Sequence, residues 1–198
     1  MVQSLMYLKG KKMMEKEIRF LNIHYMNAIK LSDDFSITRT KEWTPLIILN
    51  ELSIQIGHIY NIIYSSESIN EDSRNFCNLG DELSDVILQL IALANIQNIN
   101  LYNIVYLKQM QENSWFAIPV ILGQINEAIM EQQGYRFLKP RTGFENINMF
   151  IENRIMRLFD IIFQIADKHN LDLVKEFSLM LEDANAFLTR FEKKNRGL

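Results

Sequence analysis

The chain has 198 residues, 48% of them hydrophobic and 23% charged, which suits an ordinary globular protein with one good core or two small, joined ones. A formal net charge of −3 argues against a nucleic-acid scaffold, and the single Cys77 excludes an intramolecular disulfide or a cysteine-rich zinc site. Seven glycines and three prolines leave little turn chemistry for a many-stranded sheet, so an all-α fold is expected.

Residues about 13–31 form a first amphipathic helix, with Ile18, Leu21, Tyr25 and Ala28 on one stripe, ended by Ser32-Asp33-Asp34. Thr44 and Pro45 open a second helix as N-cap and first-turn residue, and it runs to about Tyr64. A polar connector over 65–73 leads to a helix over roughly 79–97, broken by Asn98-Ile99-Asn100. Further helices are expected over 101–113, 114–134, 146–169 and 171–191, with a long loop over 134–143 and a frayed tail over 192–198. No apolar run reaches the roughly 20 residues that span a bilayer, and the lysines at 9, 11, 12 and 16 precede no apolar signal stretch. A cytoplasmic protein without membrane or nucleic-acid partners is expected.

The chain echoes itself. Trp43 and Trp115 are 72 positions apart, and so are Asn98-Ile99-Asn100-Leu101 and Asn170-Leu171-Asp172-Leu173. The run from Asp85 to Leu90 resembles that from Asp160 to Ile165, at a spacing of 75. Two helical hairpin units that bury their apolar faces against each other are the physical reading.

The segment over 79–97 sets acids into an otherwise apolar helix. Glu82, Asp85 and Gln89 leave one face at three- and four-residue spacing, amid Val86, Leu88, Leu90, Ile91 and Leu93. Carboxylates beside an aliphatic core need a neutraliser, because an unpaired buried charge costs several kcal/mol. The preceding helix carries Glu51, Gln55 and His58 on one face, so the two stripes can meet in a polar seam. The competing reading is a solvated face on each helix. His24 and His169 lie near helix ends and read as solvated or capping groups, and ten methionines read as flexible core filling.

Those two stripes reach a known family. The run from Asp81 to Ala94 resembles the second metal helix of the all-α nucleoside triphosphate pyrophosphohydrolases, the MazG and dimeric dUTPase superfamily, and the helix with Trp43 and Gln55 to Tyr60 resembles the first. The likeness covers residues 43–113 as one unit and 115–185 as a degenerate second copy, within a single all-α domain over 1–198. It implies a MazG-like four-helix core. It also implies Mg²⁺, with Mn²⁺ as substitute, and hydrolysis of a nucleoside triphosphate to the monophosphate and pyrophosphate. Glu82, Asp85 and Glu51 would then be catalytic and metal-binding, with Gln55 as auxiliary ligand and Lys108, His58 and Gln89 on substrate. Gln124, Glu127 and Asp160 would form a second half-site, and Arg157 would pair with Glu127 or replace a metal charge. The chain departs from the family pattern at Leu52 and Gln55, which stand where the first motif has acids; Glu51 is one position off. A degenerate relative that binds nucleotide or serves a structural role is the alternative, and the likeness leaves open a homodimer or a pseudo-dimer within one chain.

Overall fold

A computed structural model describes residues 2–38, 43–65, 78–101, 115–135 and 146–195. Among the described residues there are six α-helices: α1 (Val2–Asp34), α2 (Pro45–Ser65), α3 (Leu79–Ile96), α4 (Ile118–Gln132), α5 (Ile147–Lys168) and α6 (Leu173–Asn195). Short 3₁₀ turns follow α1 (Phe35–Thr38) and precede α4 (Trp115–Ala117), and no strand occurs among the described residues. The all-α expectation holds.

Local chemistry sets most of the boundaries. Asn78 caps α3 by accepting the Asp81 N–H at 3.0 Å, Asn146 caps α5 by accepting the Met149 N–H at 3.1 Å, and Asp172 receives the Val174 N–H at 3.1 Å. The Thr44 hydroxyl lies 3.4 Å from the Ile47 N–H at the start of α2. At the other ends, α3 and α5 stop alike. Asn98 and Asn170 sit in the left-handed region at φ 55° and 56°, a conformation asparagine tolerates better than most residues. In each turn the next residue bonds back across it: Ile99 N–H to the Ala94 carbonyl at 2.8 Å, Leu171 N–H to the Ala166 carbonyl at 2.9 Å. The second bond in each turn repeats as well, Asn98 to Asn95 and Asn170 to Asp167.

Helix α3 is the centre of the fold, packed against α1, α2, α5 and α6. Leu83, Val86, Ile87, Leu90, Ile91, Leu93 and Ala94 are buried on its successive faces, which is why its sequence shows so little amphipathic contrast. Its most extensive neighbour is α2, and α4 pairs with α5 in the same way; α2 also touches α4, and α3 touches α5. Tyr60 and Tyr64 stack on Trp115 with both centroid separations at 5.3 Å, and the Tyr60 hydroxyl donates to the Trp115 carbonyl at 3.0 Å. This clamp ties the end of α2 to the start of α4.

Four expectations change. Helix α1 starts at Val2, well before residue 13, and α6 continues through Asn195, so most of the expected tail is helical. His24 is no solvated end group: it lies mid-helix in α1, 3% exposed, between the rings of Phe20 and Phe177. The reason is its spacing from Phe20, four residues, which puts it on the face that α6 covers. His169, by contrast, does cap α5. Finally, Pro45–Tyr64 is long and apolar enough to cross a bilayer by length and composition, with 28% of its apolar window buried. The polar residues at 51, 55 and 58 interrupt the run without offsetting its isoleucines and leucines.

Candidate functional site

The seam between α2 and α3 forms as the two stripes require. His58 Nδ1 lies 3.1 Å from Gln55 Oε1 and 3.1 Å from Glu82 Oε2. Both neighbours are acceptors, so Nδ1 carries the proton and donates to the pair. Glu82 is only 4% exposed, and the imidazole answers part of its charge. Burial still lifts its carboxyl above the ordinary value; the hydrogen bond and charge of His58 pull it down, and Asp81 pushes it up.

Asp85, one turn further along α3, carries the larger perturbation. Burial raises its carboxyl to about 7, with Asp81 and Glu82 adding like-charge repulsion and His58 opposing it. Three carboxylates thus crowd the first two turns of α3, two of them held above their ordinary values by burial and by each other. The helix N-terminus offsets a part of that charge. One turn beyond Asp85, the Gln89 Oε1 is buried with no hydrogen-bond partner.

Other expected site residues fall elsewhere. Glu51 is half-buried, and its neighbour Leu52 is fully buried in the core. Among the described residues no three His, Cys, Asp or Glu side chains converge as a metal cage, so the trio Glu51, Glu82 and Asp85 is not assembled. Lys108 and Cys77, with most of the helix expected over 101–113, lie outside the described residues.

In the α4–α5 pair, Gln124 accepts a hydrogen bond from Arg154 Nε at 2.6 Å, and the Arg154 guanidinium lies 4.2 Å from the Phe150 ring centroid. Arg154 is pushed below its ordinary pKa by burial and by the nearby charge of Arg157. Glu127 is half-buried, and Asp160 is 1% exposed inside the bundle.

One neighbour had no signal in the sequence. Glu176 of α6 lays its carboxyl end over Gly80, so close that a Cβ at 80 would stand 2.5 Å from Oε2. It brings another acid to the start of α3 across 96 positions of chain, a proximity that no periodicity announces. A cavity of about 560 Å³ opens at the turn between α5 and α6, where Lys16 is ion-paired with Asp167 and Arg19 and Asp172 complete a mixed-charge wall. Its walls come from α1, α5 and α6, and none of the acidic residues of α3 lines it.

No family model, curated protein or solved structure gives a significant match to this chain.

Proposed function

We propose that the α2–α3 seam is a divalent-cation site, Mg²⁺ or Mn²⁺, at which the protein hydrolyses a nucleoside triphosphate to the monophosphate and pyrophosphate in the cytoplasm. The observation that carries this reading is the crowding of three acids against one histidine in the seam: Asp81, Glu82 and Asp85 beside His58, with Asp85 pushed to about 7. A buried cluster that raises its own pKa values in this way is a signature of functional sites.

The donors suit a hard cation in kind. Glu82 and Asp85 offer carboxylate oxygens, and Gln55 and Gln89 offer amide oxygens, with Gln89 Oε1 buried and unbonded. When bound, the cation would screen phosphate charge and make its water a better nucleophile. The chain's own residues prepare that chemistry. His58 bridges Gln55 and Glu82, orienting one oxygen of the carboxylate and leaving the other free to bind. Asp85 exchanges its proton near neutrality, so cation binding there competes with protonation. Leu83, Val86 and Ile87 flank the acids with core, which keeps the dielectric low and the charges strong.

A second reading, nucleotide or cation binding without hydrolysis, is favoured by one observation: Leu52 is core and Gln55 is neutral, so the seam has lost the acids of the first motif. Pyrophosphate release separates the two. Purified protein with Mg²⁺ and a panel of ribo- and deoxynucleoside triphosphates is expected to release pyrophosphate. Glu82→Gln/Asp85→Asn is expected to cut the rate by about a hundredfold or more. Release absent across the panel, or unchanged in the double variant, sinks the hydrolytic reading.

Gln55→Glu supplies a companion test. Restoring one acid opposite Glu82 is expected to tighten Mg²⁺ binding by about tenfold, since affinity for hard cations follows ligand charge. Isothermal titration with Mg²⁺ checks it, and an affinity equal to or weaker than wild type argues that Gln55 is not a ligand.

A further inference from the structure

The matching ends of α3 and α5 set a register. Lys168 closes α5 and Ile96 closes α3, and each is followed by a left-handed asparagine two positions on, with the same back-bonding pattern. Both turns then lead into helix, at Leu101 and at Leu173. The spacing is 72 in every case, the same as that of Trp43 and Trp115. Because α3 and α5 are uninterrupted helices, the register carries back along them. It sets Arg154 against Glu82 and Arg157 against Asp85, and it sets Asp160 against Leu88, not against Asp85 as the 75-residue likeness suggests. In the partner helices it sets Gln124 against Leu52 and Glu127 against Gln55.

In both units the side chain at the matched position of the second helix turns toward the first helix of its own pair, though to a different position on it. Glu82 reaches across its seam to α2, through His58, and Arg154 reaches across its own seam to Gln124 of α4. Like helices also face like, α2 with α4 and α3 with α5, the arrangement of an isologous pair. We infer that α4–α5 is a second copy of the α2–α3 unit in which guanidinium groups stand where the carboxylates would hold a cation, so that this seam is locked by its own fixed positive charge and the chain takes one cation, not two. The inference rests on the cation reading of the first seam.

The physical logic is substitution of charge. In the first seam a carboxylate pair demands a cation from outside. In the second, Arg154 and Arg157 bring positive charge on side chains, and Arg154 is held by its hydrogen bond with Gln124 and by the Phe150 face. A divalent cation is repelled there. Glu127, which keeps an acid where the first unit has an amide, then has positive charge in its own seam.

Stoichiometry tests this, with Mn²⁺ alone as the probe, by electron paramagnetic resonance and isothermal titration on the full chain. One Mn²⁺ per chain is expected, lost with Asp85→Asn and kept with Arg154→Gln. Two Mn²⁺ per chain, or a single one that survives Asp85→Asn and disappears with Glu127→Gln, overturns the inference. No Mn²⁺ at all overturns the cation reading of the first seam, and the reversal Arg154→Glu/Arg157→Asp then decides the second. If the reversed chain gains one Mn²⁺, lost again with Glu127→Gln, the register and the locked seam stand; if it gains none, they fall. Circular dichroism confirms that the reversed chain is folded; should it not be, Arg157→Asp alone is judged by the same two outcomes.

Discussion

Asp85→Asn is expected to stabilise the protein at pH 8 by on the order of 2–4 kcal/mol and to leave it nearly unchanged at pH 4. The sign follows from the direction of the shift. The folded-state carboxyl titrates at about 7, against 3.8 as the ordinary value for an unfolded chain. Between those limits the folded state holds a proton that the unfolded state releases. The stabilising contribution is therefore complete below about 3.8 and is lost as pH rises through 7. At pH 8 the wild-type protein holds an ionised carboxylate next to Glu82 and Asp81 in a partly buried seam, and asparagine removes that charge while keeping the shape. Urea denaturation of both proteins across pH 4–8 measures the difference. Millimolar Mg²⁺ at pH 8 is expected to raise the melting temperature of the wild type and not of the variant, because only the former keeps both carboxylate ligands, Glu82 and Asp85. Equal stabilities at pH 8 without Mg²⁺ would mean that the carboxylate is already neutralised and that the seam has no call for a cation.

Phe177→Ala is expected to cost about 3–5 kcal/mol, the largest loss from a single truncation in the core. Phe177 is fully buried on α6 and meets the rings of Phe20 at 5.0 Å and His24 at 5.1 Å; Phe20 in turn meets Phe163 of α5 at 5.7 Å. One side chain thus joins α6 to α1 and, through Phe20, to α5. Its removal leaves a cavity lined by rings too stiff to collapse into it. His24 reports the change. Burial holds its pKa below 6.5, while Nε2 bonds the Val174 carbonyl at 3.0 Å. A depressed histidine contributes stability that is complete above 6.5 and is lost as pH falls through the folded-state value. Opening the cluster to water is expected to move the His24 midpoint upward, seen by NMR titration, and to flatten this acid-side loss. A cost below about 1 kcal/mol would show that α1 and α6 are held by other contacts.

Much of the scaffold was legible in the residues. Helix boundaries at Pro45, Leu79, Ile147 and Lys168 fall within a residue or two of expectation, because Thr44, Asn78, Asn146 and the left-handed asparagines act within one turn of themselves. The meeting of the α2 and α3 stripes was legible too, since the 3.6-residue period places Gln55 and His58, and Glu82 and Asp85, on facing sides. What could not be read was rotation about each helix axis. Leu52 enters the core, and the rotation this sets for α2 brings His58 against Glu82, with Gln55 bonded to the same imidazole. His24 was misjudged for the same reason: a lone histidine is buried or solvated according to what packs over it, and α6 lies about 150 residues away along the chain.

The contrast between the two kinds of knowledge is physical. Caps, helical periods and the acidic composition of α3 are properties of neighbouring residues, so a linear string carries them. The pKa of Asp85 and the approach of Glu176 to Gly80 arise from desolvation and contact between distant segments. Those quantities exist only once the helices have packed, because burial is a property of the surroundings and not of the residue.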